Sequence, residues 1–266
     1  MDYDAIIIGG GAAGLFCAIE AAKRGRKTLV IEHNAEVGRK IIISGGGRCN
    51  FTNIHSSPAN FISKNPHFCK SALAGYTPRD FIELVRKHKI AYYEKTLGQL
   101  FCKSSSRFIV EMLLTECRRA KVEVRTACTV KNVEKNSVFE IDTSQGRFRS
   151  QSLVIATGGL SFAKIGATDL GYKIARQFGL KIEETRPSLV ALQLKNNRGL
   201  TKLSGLSIDA SVAFGKHVFR ENILFTHRGL SGPAILQISN YWKKGEAVNI
   251  DLLPDMDAKD HLTENR

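Results

Sequence analysis

The chain opens on an uninterrupted apolar run, "YDAIIIGG" (Tyr3 to Gly10), which predicts a short strand buried on both faces rather than an alternating half-exposed one. "GGGAAG" follows, and the next residues, "LFCAIEAAKRG", carry a helical pattern that closes at Gly25. A second apolar strand, "KTLVIE", ends in Glu32. Further on, "TPRDFIELVRKH" predicts a helix with Thr77 as cap and Pro78 in the first helical position; Phe81, Leu84, Val85 and His88 form one face. Residues 122–150 alternate as short strands with a turn at Ser144-Gln145-Gly146, the pattern of a β-meander laid across a sheet. "SLVIATGGLS" then predicts one more buried strand and a turn of small residues. Strand, helix, strand, meander and strand in this order predict an α/β fold.

The glycines of the first turn have separate mechanical roles. Gly9 permits the tight turn, Gly11 lets backbone approach a pyrophosphate, and Gly14 lets helix and strand pack closely. The helix N-terminus offers free N–H groups and the positive end of its dipole to the phosphates. Glu32, at the tip of the second strand, is placed to accept hydrogen bonds from both ribose hydroxyls, which argues against a 2′-phosphate there. The nucleotide is therefore FAD or NAD, not NADP. An NAD protein would normally enter its next helix after the acid, whereas this chain continues as "HNAEVGRKIIISGGGRCNFTN", a glycine-rich loop that can run beneath whatever extends from the pyrophosphate. The order resembles the FAD-binding domain of glutathione-reductase-like flavoproteins; an ordinary doubly wound sheet with an unrelated hairpin is the alternative.

Composition narrows the picture only in part. At 266 residues and 43% hydrophobic content the chain can bury one large core or two smaller ones. No apolar run reaches membrane-spanning length, and the acidic start "MDYDAIIIGGG" lacks the basic segment of a secretory signal, so the expected location is the cytoplasm, with no membrane partner. Six scattered cysteines without a CxxC pair predict reduced thiols and no metal site. The net charge of +14 brings in RNA as a candidate partner. The plainer reading is a soluble basic surface, since "RKHK" (Arg86 to Lys89) and "RRAK" (Arg118 to Lys121) fall at predicted helix C-termini, where cations oppose the dipole.

"GGGAAG", "GRKIIISGGGRCNFTN", "VIATGG", "PSLVAL" and "LFTHRGLSGPAILQIS" together resemble the YhiN/BaiN-type flavoproteins, over nearly the whole chain from Met1 to about Asp251. The resemblance implies a glutathione-reductase-like FAD-binding Rossmann domain (1–188) and an inserted β-rich substrate domain (189–266). Relatives continue to a returning segment that closes the flavin site; this chain stops at "DMDAKDHLTENR", so that segment is expected to be missing and the second domain incomplete. A second departure is "LSFAKIGAT" in place of a proline-containing turn after ATGG.

Carried onto this sequence, the cofactor-binding positions are Gly9, Gly11, Ala13, Gly14, Glu32, Arg39, Lys40, Gly45, Gly46, Gly47, Arg48, Val130, Ala156, Thr157 and Gly158. The three consecutive glycines would let main-chain N–H groups reach flavin or pyrophosphate, and Arg48 would add positive charge. Cys49 is the candidate general acid, or else a small residue packing the loop. His227 either donates to a substrate carbonyl or is structural. Ser231 is expected to cap the helix that starts at Pro233, and Asn50 and Asn53 to fix turns.

Three readings of function follow, the first two as what the resemblance implies. The first is FAD-dependent reduction of an activated C=C bond in RNA, a uridine of large-subunit ribosomal RNA becoming dihydrouridine. The second is an FAD/NAD(P)H reductase of a small unsaturated steroid-like acid or ketone. The third is a truncated, non-catalytic remnant. One GxGxxG is present and no second nucleotide fingerprint, so NAD(P)H is expected to act as a transient electron donor.

Overall fold

The computed structural model describes residues 2–194, 199–256 and 263. The chain divides into two compact units, Met1–Ile182 and Glu183–Arg266.

The first unit is built on β1 (Asp2–Ile8), α1 (Ala12–Lys23) and β2 (Thr28–Ile31). The chain continues through α2 (Arg39–Ile43), β3 (Asn50–Asn53), α3 (Lys70–Gly75), α4 (Pro78–Lys87), β4 (Tyr92–Glu94), β5 (Gln99–Cys102) and α5 (Arg107–Arg119). It ends with β6 (Glu123–Arg125), β7 (Val130–Lys135), β8 (Phe139–Thr143), β9 (Gly146–Ile155) and α6 (Leu170–Gln177). Six strands form one sheet in the order β6-β2-β1-β9-β8-β7. The first four run parallel, and β8 and β7 are joined antiparallel at one edge. A separate antiparallel sheet, β3-β5-β4, carries the segment after the glycine loop.

The apolar run of β1 is explained by burial on both sides. Ile7 joins Leu15, Ile19, Val30, Met112 and Leu113 beneath α1 and α5. Its neighbours Ile6 and Ile8 face the opposite layer with Leu29, Ile31, Ile141, Phe148 and Ile174. α1 turns Leu15, Ala18 and Ile19 inward, the spacing of a single helical face.

Two expectations need correction. Glu123–Arg125 is not the start of the meander, because β6 pairs parallel with β2 at the sheet edge. Nor does the meander lie across the sheet. β9 is ten residues long, so its first half pairs with β8 while its second half pairs with β1, and the hairpin extends the same sheet. The helix from Pro78 forms as its pattern predicts, with Thr77 accepting from Asp80 N and the Asp80 carboxylate accepting from Thr77 N.

The C-terminus of α4 is fastened to α5 by a buried carboxylate. Glu116 Oε1 lies 2.8 Å from both His88 Nε2 and Arg119 Nη1, and 3.5 Å from Lys87 Nζ. Burial alone would raise its pKa, but the hydrogen bonds from His88 and Arg119 overcome that and hold it below the ordinary glutamate value.

The second unit consists of β10 (Leu192–Gln193), β11 (Ser207–Phe214), β12 (His217–Thr226), β13 (Gly229–Ser231), α7 (Pro233–Ile238) and β14 (Asn249–Asp251). Its sheet has the order β10-β13-β12-β11-β14, and Ala234, Ile235 and Ile238 of α7 fill the core with Ala210, Val212 and Ile223. Among the described residues no helix is long and apolar enough to cross a membrane, and all six cysteines are free thiols.

Two stability measurements check this account. Leu15→Ala leaves a hole between α1, α5 and the sheet at a fully buried position, and is expected to cost about 2–5 kcal/mol in urea unfolding. Glu116→Gln is expected to lose stability relative to the unchanged chain above the ordinary glutamate pKa. Because the folded-state pKa is lowered, that difference shrinks as pH falls from the ordinary value through the folded one; a difference independent of pH would refute the ionic role.

Candidate active site

The turn from β1 into α1 is shaped by contact as well as by dihedral angle. Gly9 has φ +115°, and a Cβ there would run into the carbonyl of Ala156 at the end of β9. A Cβ on Gly14 would run into the carbonyl of Gly9. Gly11, the residue before the first turn of α1, has nothing within 4 Å of where a side chain would stand. A ligand can therefore approach the first-turn N–H groups of α1, at Ala12 and exposed Ala13, which have no acceptor inside the helix.

Glu32 is 7% exposed and already holds protein donors. Its Oε2 accepts from Gly10 N at 2.8 Å, and its Oε1 accepts from Asn34 N and Asn34 Nδ2, each at 2.8 Å. A carboxylate offers about four acceptor positions, so Oε2 retains capacity for a hydroxyl. A cavity of about 340 Å³ beside it is lined by Gly9, Glu32, Val130, Thr157 and Lys173. Arg39 braces this corner from α2, donating through Nη1 to Asn34 Oδ1 at 2.8 Å. Lys40, the next residue, donates to the Gly159 carbonyl at 2.9 Å and faces the open side of Gly158, which ties α2 to the Ala156-Thr157-Gly158 turn.

Between α2 and β3 the chain makes a glycine-rich turn in which Gly45, Gly46 and Gly47 all have positive φ. They do different things. Gly45 packs against the ring of Phe101 and the amide of Asn50, so it is a close-packing position. Gly46 and Gly47 face open space. The turn is held from outside by Ser106 N donating to the Gly47 carbonyl at 2.8 Å and Cys102 N donating to the Arg48 carbonyl at 2.9 Å. The side chain of Arg48 is exposed.

Cys49 follows with φ +50° and 6% exposure. Burial pushes its thiol pKa up, against a smaller opposing pull from a hydrogen bond with Ser44, so the sulfur keeps its proton at neutral pH. It lines a second cavity of about 580 Å³, whose wall also includes Phe16, Ile41, Phe51, Tyr76 and Phe81.

The first unit thus contains Gly9, Gly11, Ala13, Gly14, Glu32, Arg39, Lys40, the three glycines, Arg48, Cys49, Val130, Ala156, Thr157 and Gly158. His227 belongs to the second unit, exposed in the two-residue turn between β12 and β13. Thr226 staples that turn, its Oγ1 accepting from Gly229 N at 3.1 Å and donating to the Gly229 carbonyl at 3.0 Å. Ser231 does not cap α7: it pairs with Leu224 in β13, and Gly232 occupies the cap position. Asn53 fixes a turn as expected, accepting from His55 N at 2.8 Å. Sequence reasoning missed Asn34, whose signal was a side-chain amide two residues beyond the acid, and the aromatic wall, which has no local signal.

A glycine turn, an open helix N-terminus and a buried acid at the tip of the second parallel strand define a dinucleotide-binding α/β protein. Residues 3–242 match the HI0933-like protein Rossmann domain, and the chain belongs to that family. It is 52% identical to the ribosomal RNA dihydrouridine synthase of Escherichia coli, over 99% of this chain and 67% of that protein. It is 47% identical to the protein of the same name from Haemophilus influenzae, over 97% of this chain and 66% of that one. Identity to the 3-dehydro-bile acid delta(4,6)-reductase of Clostridium scindens is 30%, over 95% of this chain and 65% of that protein. The chain therefore spans about two thirds of the length of these relatives.

Glu32→Ala is expected to release the dinucleotide, read as loss of retained chromophore on gel filtration. It also leaves the Gly10 and Asn34 amides without their acceptor, at a cost of about 1–3 kcal/mol in unfolding. Full retention would remove Glu32 from the nucleotide site.

Proposed function

We propose that this chain is the FAD-binding and base-reducing part of a ribosomal RNA dihydrouridine synthase, with NAD(P)H as transient electron donor. The observation that carries the substrate assignment is 52% identity, spread over 99% of the chain, to a protein of that activity. FAD fits the residues present. The open N-terminus of α1 suits a pyrophosphate, the cavity at Glu32 and Val130 suits an adenosine, and Gly46 and Gly47 offer bare backbone farther along the same path. A 2′-phosphorylated ribose would meet the buried Glu32 carboxylate, which disfavours NADP as the resident nucleotide.

FAD held by these residues would, when reduced, supply hydride chemistry for one carbon of the uracil double bond. The neighbouring carbon then needs a proton, and Cys49 Sγ is the group that holds one. Its burial is what suits it to that task, because a thiol with a raised pKa stays protonated at neutral pH and transfers its proton only to a strongly basic centre. The positive φ of Cys49 turns the chain out of the glycine loop and into β3, with the thiol on the cavity wall. Lys40 and Arg39 keep α2 fixed against the two loops that border the nucleotide path.

The test combines the FAD-loaded chain, NADPH and a large-subunit ribosomal RNA fragment, with dihydrouridine read by mass spectrometry of the digested RNA. Dihydrouridine formation dependent on FAD and steeply weakened by salt is expected. Reduced FAD that persists beside bound RNA without product would reject the reading. Cys49→Ala is expected to keep the flavin and its reduction by NADPH while lowering product formation about 100-fold; an unaltered rate would remove Cys49 as proton donor.

A further inference from the structure

We propose that the end of the first unit opposite the nucleotide site is a docking face for the ribose-phosphate backbone of an RNA duplex, formed where the C-termini of α1, α4 and α5 meet. This rests on the reading of the chain as an RNA-reducing protein, but the face shares no residue with the dinucleotide site.

Three basic segments, 23–27, 86–89 and 118–121, close these helices. Lys23, Lys87 and Glu116 line one cavity of about 410 Å³, so the last turns of α1, α4 and α5 border a common space. Glu116 reaches from α5 to Lys87 and His88 at the end of α4. The Asp4 N–H donates to the Lys27 carbonyl at 2.9 Å, which puts the 23–27 segment beside the start of β1. Gly9 and Glu32 stand beyond the other ends of β1 and β2, about 20 Å away along a seven-residue strand. The carboxylates at the basic end already have partners: Glu20 pairs with Lys23 at 2.9 Å, Glu83 with Arg86 at 2.7 Å and Glu123 with Arg125 at 2.7 Å. Among the described residues, Arg24, Arg26, Lys89, Arg118 and Lys121 are exposed and have no carboxylate within ion-pair distance.

The helix dipole accounts for only part of this charge. Each helix closes with the same pair of backbone bonds: Gly25 N to the Ala22 carbonyl and Arg26 N to the Ala21 carbonyl on α1, Lys89 N to Arg86 and Ile90 N to Val85 on α4, and Lys121 N to Arg118 and Val122 N to Cys117 on α5. The closing residue is left-handed in all three, with φ +77° at Gly25, +56° at Lys89 and +61° at Lys121. Glycine suits that position, and a lysine there costs stability. A cation would oppose the dipole equally well from any place in the last turn, so the dipole does not explain a lysine in the left-handed place twice. A local preference overridden twice at one end of the molecule marks a surface with a task. His88 is the only ring in the three segments, and its side chain is 12% exposed and held by Glu116. The face therefore offers charge without a stacking platform, which suits a duplex, whose bases are already stacked and whose phosphates lie outermost.

The experiment measures, over a range of salt, binding of the FAD-loaded chain to a plain RNA duplex of about 16 base pairs that lacks the target uridine. Lys89→Gly combined with Lys121→Gly is expected to keep its FAD and to unfold at the same or a higher temperature, because glycine relieves both left-handed positions. Its affinity for the duplex is expected to fall about tenfold, with the salt slope reduced by up to about two. Lys89→Arg combined with Lys121→Arg, which keeps the charge, is expected to bind as the unchanged chain does. A glycine pair that binds the duplex undiminished would overturn the face and leave the RNA reading intact, as would dihydrouridine formation by a chain that binds no duplex at low salt. Duplex bound as expected, with no dihydrouridine formed from the target RNA, would overturn the reduction reading alone. Preference for anionic vesicles over the duplex at equal salt would overturn RNA as the occupant.

Discussion

One buried carboxylate joins the parts of the first unit that have to agree in position. Glu32 ends β2, and its two oxygens take N–H groups from the β1–α1 turn and from the loop that follows β2. A charge removed from water persists only when donors surround it, and here three come from the protein itself. Through Asn34 the same network reaches Arg39, and α2 in turn reaches the Gly159 carbonyl through Lys40. The β1–α1 turn, α2 and the turn after β9 are thereby held in one arrangement around the nucleotide path. The close contacts of Gly9 with Ala156 and of Gly14 with Gly9 serve the same end by sterics, since neither tolerates a side chain.

The parts of this arrangement that were legible in the sequence are those with a local cause. β1, α1 and β2 follow from a continuous apolar run, a 3.6-residue period and an acid at the strand tip. The α4 cap follows from Thr77 standing before Pro78, to which the fold adds the Asp80 carboxylate accepting from Thr77 N. Errors arose where pairing partners decide. Three residues at 123–125 read equally well as meander or parallel strand, and only Leu29, Val30 and Ile31 as neighbours settle which. The length of β9 likewise lets one strand serve two partners, which alternation within the segment cannot reveal. Ser231 has the composition of a cap, but its backbone is committed to Leu224, so Gly232 takes the turn.

The candidate site divides in the same way. The glycine fingerprint and Glu32 are read within a short stretch of chain. The cavity at Cys49 assembles side chains from Ala12 to Leu113, drawn from α1, α2, β3, α3, α4 and α5, and no sequence window contains it. What the sequence did carry was the exceptional run "SGGGRCN". In the fold its three glycines prove unequal: Gly45 is a packing position, whereas Gly46 and Gly47 keep an open face.

The acidity of the thiol and the selectivity of the cavity have one physical origin. An apolar wall cannot solvate a thiolate, so Cys49 stays protonated. The same wall cannot solvate a phosphate, so it favours an uncharged ring over an anion. The cations of α2 serve the frame, Arg39 on Asn34 and Lys40 on the Gly159 carbonyl, although Lys40 also borders the cavity. A second cation beside Lys40 in that lining would lower the thiol pKa and add a charge that favours an anion over an uncharged ring.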